Sequence, residues 1–256
     1  MTNFDRLKPE NMPFSSTILA FTDLYACENL PVLTGGQVVD CRDLEGTNCY
    51  CDPAAEAELA RRLASLPLQG LHWIDSGDYH YVSKLWTDRM TEPFNLVVAD
   101  HHPDMQVPAF GDILSCGGWV RKALEENRLL REVWLVGINP DLRGECMGFG
   151  NRVHIIDREE AAACLPRTVA DRIPSDLPVY LSIDKDVLSR EEARTNWDQG
   201  TMTLDWLLSF VSGIRQPLAG VDLCGGLSSD KGGSEADFSI NRETNRRIHD
   251  FFSLYL

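Results

Sequence analysis

Residues 95–104 read NLVVADHHPD, a run of consecutive apolar residues that passes without a break into Asp100-His101-His102-Pro103-Asp104. An apolar stretch with no alternation suits a strand covered on both faces, which is the signature of a parallel sheet between helical layers. The same pattern recurs at VWLVGI (133–138) and VYLSI (179–183). Working outward, the spacing predicts strands over 16–21, 70–74, 95–99, 132–138, 152–156, 178–183 and 218–223. Helices are expected between them over 53–65, 80–90, 119–127, 158–164 and 204–214, with a last amphipathic helix over 241–254. Strand and helix alternate along the whole chain, with no linker or repeat. The expectation is a single α/β domain over 1–256, a three-layer sandwich around a mostly parallel sheet of about eight strands. The tract GGLSSDKGGS (225–234) reads as a loop after a strand.

Composition narrows the function. The 256 residues carry 24 Lys and Arg against 39 Asp and Glu, a formal charge of −15. A surface of that sign repels nucleic acid and anionic lipid, so neither is an expected partner. The pairs Arg61-Arg62 and Arg246-Arg247 lie in helix-like stretches and read as solvated faces. No stretch approaches the length needed to span a bilayer, and the first residues hold no apolar run of a secretory signal. Eight scattered cysteines lack the duplicated Cys-x2-Cys pairs of a zinc ribbon and fit a reducing, cytoplasmic setting.

In open α/β sheets, ligands bind beyond the carboxyl ends of the strands. Three expected strands run there into metal-ligand residue types. NLVVA leads to Asp100, His102 and Asp104, VYLSI to Asp184-Lys185-Asp186, and LHWI to Asp75-Ser76-Gly77-Asp78-Tyr79-His80. Any one Asp in such a place could be a helix N-cap, but the group as a whole has no common structural explanation. If these segments stay extended, Asp100, His102 and Asp104 share a side, as do Asp184 and Asp186, while His101 and Lys185 point away. Four carboxylates with one or two imidazoles and no thiolate suit Mn²⁺ best and are compatible with Fe²⁺ or Zn²⁺. That much negative charge is better matched by two ions than by one, and a pair of ions can supply hydroxide at neutral pH.

These segments resemble the motifs of the arginase, agmatinase and formiminoglutamase superfamily, the ureohydrolases. Asp100-His101-His102-Pro103-Asp104 is similar to its Asp-x-His-x-Asp motif, Ser182-Ile183-Asp184-Lys185-Asp186 to its Ser-x-Asp-x-Asp motif, and Gly77-Asp78-Tyr79-His80 to its Gly-Gly-Asp-His-Ser motif. The resemblance runs loosely from about residue 70 to 225. It implies an arginase-like fold, often assembled as trimers or hexamers, with Asp100 and Asp184 bridging two Mn²⁺ ions. His80 and Asp104 would complete one shell, His102 and Asp186 the other.

Three departures stand beside the matches. Tyr79 separates Asp78 from His80. Gly225 stands where the family places a guanidinium-binding glutamate. Ser115, Cys116, Gly117 and Gly118 lie near the place of a proton-shuttling histidine. The expected activity is therefore hydrolysis of a C–N bond at an amidino, imino or amide carbon of a small molecule other than arginine. Hydroxide bridging the metals would be the nucleophile, oriented by Asp104. Trp197 and Asp198, in the loop after the third motif, and Cys116 are expected to line the substrate pocket. Two alternatives remain open at this point. LVVADHH also matches the third motif of a family of manganese phosphoesterases and pyrophosphatases, whose N-terminal histidine motif is missing here. A metal-binding arginase-like protein without catalysis is the other.

Overall fold

The computed structural model describes residues 14–108, 111–174 and 176–256. The expected single domain also includes residues 1–13, which lie outside the described residues. Strands are β1 (Ser16–Ala20), β2 (Gln37–Asp40), β3 (Tyr50–Cys51), β4 (Leu71–Ile74), β5 (Phe94–Ala99), β6 (Leu114–Ser115), β7 (Leu130–Ile138), β8 (Val153–Asp157), β9 (Val179–Asp184) and β10 (Leu218–Cys224). Helices are α1 (Leu24–Cys27), α2 (Leu30–Thr34), α3 (Pro53–Leu63), α4 (Val82–Thr87), α5 (Trp119–Glu126), α6 (Arg158–Ala163), α7 (Pro166–Ala170), α8 (Leu204–Gly213) and α9 (Glu235–Tyr255). Among the described residues, eight strands form one sheet in the order β2-β1-β4-β10-β9-β5-β7-β8, and all its pairings are parallel.

The unbroken apolar runs are explained by two cores, one on each face. Along β5, Leu96 and Val98 enter one core with Leu59 of α3, Trp86 of α4 and Trp119 of α5. Val97 and Ala99 enter the other with Leu207 and Phe210 of α8 and Ile248 and Phe252 of α9. Strand alternation still operates, but both sides are dry, so both are apolar. The three-layer α/β/α sandwich with a parallel sheet is the architecture found.

Several elements differ from expectation. β2 is a four-residue edge strand, largely exposed, whose QVVD has no buried face to leave a pattern. α1, α2 and α7 are four or five residues long, too short for helical periodicity. α4 starts at Val82, because residues 77–79 form a 3₁₀ turn. α9 starts at Glu235, six residues earlier than expected and directly after the Gly-rich tract, because Ser234 and Asp237 form a reciprocal capping box; that Ser-x-x-acid spacing was visible in the chain. The tract before it contains a 3₁₀ turn at Ser229–Lys231.

Sheet order decides where chemistry can occur. β4, β10, β9 and β5 are contiguous in the middle of the sheet, so the carboxyl ends that carry the acidic and histidine segments open on one another.

Candidate metal centre

His80 follows the 3₁₀ turn after β4 and is fully buried. Its Nδ1 lies 3.0 Å from Asp104 Oδ2, 3.2 Å from Asp100 Oδ2 and 3.6 Å from Asp184 Oδ2. One ring nitrogen carries at most one proton, so it cannot satisfy three carboxylates. Its other nitrogen, Nε2, is 2.8 Å from Ser182 Oγ, and Ser182 donates to Asp222 Oδ1 at 2.6 Å. Ser83 donates to the same oxygen at 3.0 Å. Because an ionised carboxylate only accepts, this chain assigns the proton to Nε2 and leaves Nδ1 as the atom facing the acids. The shift to Tyr79-His80 thus does not remove His80 from the cluster; the 3₁₀ turn brings it back.

A second centre of contact lies beside the first. His102 Nδ1 is 2.9 Å from Asp186 Oδ2 and 3.6 Å from Asp100 Oδ1. His102 Nε2 is 2.9 Å from Asp198 Oδ1. Asp186 Oδ1 accepts the backbone N–H of His101 at 3.0 Å, and Asp184 Oδ1 accepts that of Asp186 at 2.8 Å. The sets His80, Asp100, Asp104 and Asp100, His102, Asp186 each offer ligand atoms within 4.8 Å of one another. They share Asp100, so the geometry is that of two adjacent cation positions.

The segments are not extended in the way the sequence suggested. Asp104 sits in the left-handed region at φ 50°, and a 3₁₀ turn over Lys185–Val187 follows Asp184. The side chains converge by these local turns rather than by strand alternation. Asp104 is fixed there by Trp119, whose Nε1–H donates to Oδ2 at 2.7 Å, and by the N–H of Val120, which its carbonyl accepts at 3.1 Å. Lys185 does point away: its Nζ donates to Asn245 on α9 at 2.9 Å.

Burial and mutual repulsion dominate the protonation of the cluster. Burial and the neighbouring Asp100 push Asp104 up to about 7. Burial and the charge of Asp184 push Asp186 well above the usual carboxylate range, and burial with Asp100 raises Asp184. For His80, burial opposes the charged form, but contacts with Asp100 and Asp104 outweigh it and hold the imidazole well above its ordinary value. Asp100 Oδ2, although buried, forms no hydrogen bond of good geometry. An excess of buried acid crowded against two imidazoles, with one orphaned carboxylate oxygen, fits hard divalent cations bound by oxygen and imidazole.

One thiol joins this cluster, against the expectation of none. Cys224, at the end of β10, donates to Asp184 Oδ2 at 2.9 Å and groups with His80 and Asp184. Burial and Asp184 push it well above the ordinary thiol value. Nothing local in the sequence shows which neighbour a strand-end thiol meets. Gly225 has φ 88°, and a Cβ there would overlap Asp184 Oδ1; no side chain fits at that position.

The cluster floors a cavity of about 260 Å³ whose wall includes Cys49, Tyr50, Gln106, Ser115, Cys116, Gly117 and Trp197. Trp197 and Cys116, expected to line a substrate pocket, both border this cavity. Asp198 is instead engaged with His102. Asp78 lies outside the ligand sets and acts as a tie: it accepts from Asn196 at 2.8 Å, Trp197 Nε1 at 3.0 Å and Asn48 at 3.2 Å. His101 is turned from the cavity, its Nδ1 buried without a partner.

Among the described residues, no helix is long and apolar enough to cross a membrane. A family model described as the arginase family matches residues 11–224. An uncharacterized protein of Thermotoga maritima is 28% identical over 209 residues, covering 81% of this chain and 78% of its own length. Proclavaminate amidino hydrolase from Streptomyces clavuligerus has a similar structure, with a TM-score of 0.70 at 14% identity over 98% of this chain and 96% of the other. Formimidoylglutamase from Bacillus subtilis gives 0.68 at 13% identity over 98% and 92%. At these identities the two structures bear on the fold alone.

Proposed function

The chain belongs to the arginase family, and on that premise we propose that it is a manganese-dependent hydrolase of C–N bonds in a small molecule other than arginine. The observation that carries the reading is the convergence of three carboxylate oxygens on His80 Nδ1 beside the His102–Asp186 pair. Asp100 and Asp184 would bridge two Mn²⁺ ions, with Fe²⁺ or Zn²⁺ compatible; His80 and Asp104 would complete one shell, His102 and Asp186 the other. Such ions supply Lewis acidity and lower the pKa of water enough to make hydroxide available near neutral pH.

The chain's own residues do the rest. Trp119 occupies Asp104 Oδ2, which leaves Oδ1 to accept a hydrogen bond from the attacking water and aim it at an amidino, imino or amide carbon. The Asp222–Ser182 relay fixes the ring of His80, and Asp198 fixes that of His102, so both imidazoles present a constant face. Trp197 and Cys116 form the wall against which the substrate lies. Arginine is set aside because Gly225 has no room for a carboxylate that would grip a guanidinium. A cytoplasmic setting accompanies the proposal.

Elemental analysis of protein purified with Mn²⁺ should find about two ions per chain. A screen of guanidino, formimino and N-acyl compounds should then reveal Mn²⁺-dependent release of ammonia or urea. Protein that neither binds nor is stabilised by Mn²⁺ would sink the reading; phosphate release from phosphoesters would redirect it to another chemistry.

A further inference from the structure

We propose that Cys49 and Cys116, which face each other across the cavity wall, form a reversible disulfide that gates the metal centre. The two lie one step beyond the paired residues of the β3–β6 ladder, where Tyr50 opposes Ser115 and Cys51 opposes Leu114. One backbone hydrogen bond joins them beyond the ladder, from Cys116 N–H to Cys49 O at 2.9 Å. Cys49 Sγ lies 3.6 Å from Asn48 Oδ1, to which it donates; the Cys116 thiol beside it lowers Cys49, and Cys49 together with burial raises Cys116. The pair is thus asymmetric, with a partly exposed thiol of greater thiolate character backed by a buried one, the arrangement of an attacking and a resolving cysteine. Both border the cavity. Cys49 also holds φ 59°, a conformation uncommon for a residue with a side chain.

The position of the pair gives the bond a consequence. Cys49 N–H donates to Asp78 O at 3.2 Å, in the turn that delivers His80. Cys116 begins the short turn that leads to Trp119, the residue that holds Asp104. A disulfide would draw together the two segments that orient these ligands. The oxidant is a hydroperoxide. Cys49 thiolate attacks one peroxide oxygen, forming S–O as O–O breaks; the departing oxygen takes a proton and leaves as water or alcohol. Cys116 sulfur then attacks Cys49 sulfur, forming S–S as S–O breaks, and the Cys116 proton leaves with hydroxide as water. The two thiols lose two electrons in total and the peroxide gains them.

The test uses the full chain, reduced or treated with hydrogen peroxide, with and without Mn²⁺. Non-reducing peptide mapping should find Cys49 linked to Cys116, in protein about 2 Da lighter than the reduced form, and dithiothreitol should reverse it. The linked form should bind Mn²⁺ at least about tenfold more weakly, the size of effect expected when groups orienting metal ligands are disturbed. Cys49→Ser and Cys116→Ser should each keep, after peroxide, the Mn²⁺ affinity they had before it. Absence of the linked peptide overturns the proposal, as does a linked form with unchanged Mn²⁺ affinity or a serine variant that loses affinity with peroxide as the parent does. The mapping does not depend on the proposed hydrolysis, so it separates failure of the disulfide from failure of the metal reading.

Discussion

Asp75 and Asp100 each stand one residue past a strand on the same edge of the same sheet, and both are wholly buried, yet they have opposite surroundings. Asp75 accepts four hydrogen bonds from neutral donors: the N–H groups of Phe21, Thr22 and Ser76 at 2.8 Å each, and the Thr22 hydroxyl at 2.7 Å. It ties the end of β1 to the end of β4 and is complete without further partners. Asp100 faces Asp104 and Asp184 across His80, and one of its oxygens is left over. His72 and His80 repeat the contrast in imidazoles. His72 stacks on Trp86 at 3.7 Å and bonds the carbonyl of Pro67, and burial presses it down to about 3. His80, eight residues later, is held well above its ordinary value by acids. Residue type and burial do not separate the members of either pair; the identity of their partners does.

The largest effect should come from Asp100→Ala, which removes the shared ligand of both positions. Both ions should disappear from elemental analysis and hydrolysis should fall by about 10³-fold or more, whereas Asp75→Ala should keep its metal. Retention of two ions by Asp100→Ala would break the contrast.

Next in size is the acid limb of stability. His72 is neutral when folded and gains its proton only on unfolding between the unfolded value near 6.5 and the folded value of about 3. The unfolded state therefore binds more protons as pH falls through 6.5, and stability present above that pH is lost below it. The loss should reach roughly 3 kcal/mol between pH 7 and pH 4. Urea midpoints across that range should decline less in His72→Gln, and equal slopes in the two proteins would remove His72 from the comparison.

A smaller effect is expected at Asp222, which touches no proposed ion. Asp222→Asn disturbs the relay through Ser182 to His80 and should weaken Mn²⁺ binding by about 10–100-fold, read by metal titration. Its counterpart Asp75→Asn should lose about 1–3 kcal/mol of stability in chemical denaturation with metal stoichiometry unchanged. Smallest is Trp119→Phe, which removes one charge-assisted hydrogen bond from Asp104. It should lower turnover through about 1–2 kcal/mol while the ring's packing in the core persists; unchanged turnover would show that Asp104 needs no such anchor.

Much of this was legible in the chain. Seven of the strands and the order of layers follow from runs such as LVVA and VYLSI, because burial on both faces removes polar residues from whole strands. The acidic and histidine segments were visible because they interrupt those runs. β2, α1, α2 and α7 were not, being too short or too exposed to impose periodicity. Asp78 looked like part of a ligand motif, and only the folded loop shows it tied to Asn48, Asn196 and Trp197. Cys224 gave no local sign that its thiol meets Asp184.

Sequence alone determined that carboxylates and imidazoles gather at one edge of a parallel sheet, since strand length and apolar continuity are local properties that place the first polar residue beyond each strand. Tertiary structure alone decided which of those groups converge on one another. Three of the four donors that complete Asp75 come from residues more than fifty positions away in the chain, and the partner that orients His80 from a residue about a hundred away. A group's electrostatic partners are chosen by sheet order and local turns, which no pattern along the chain encodes.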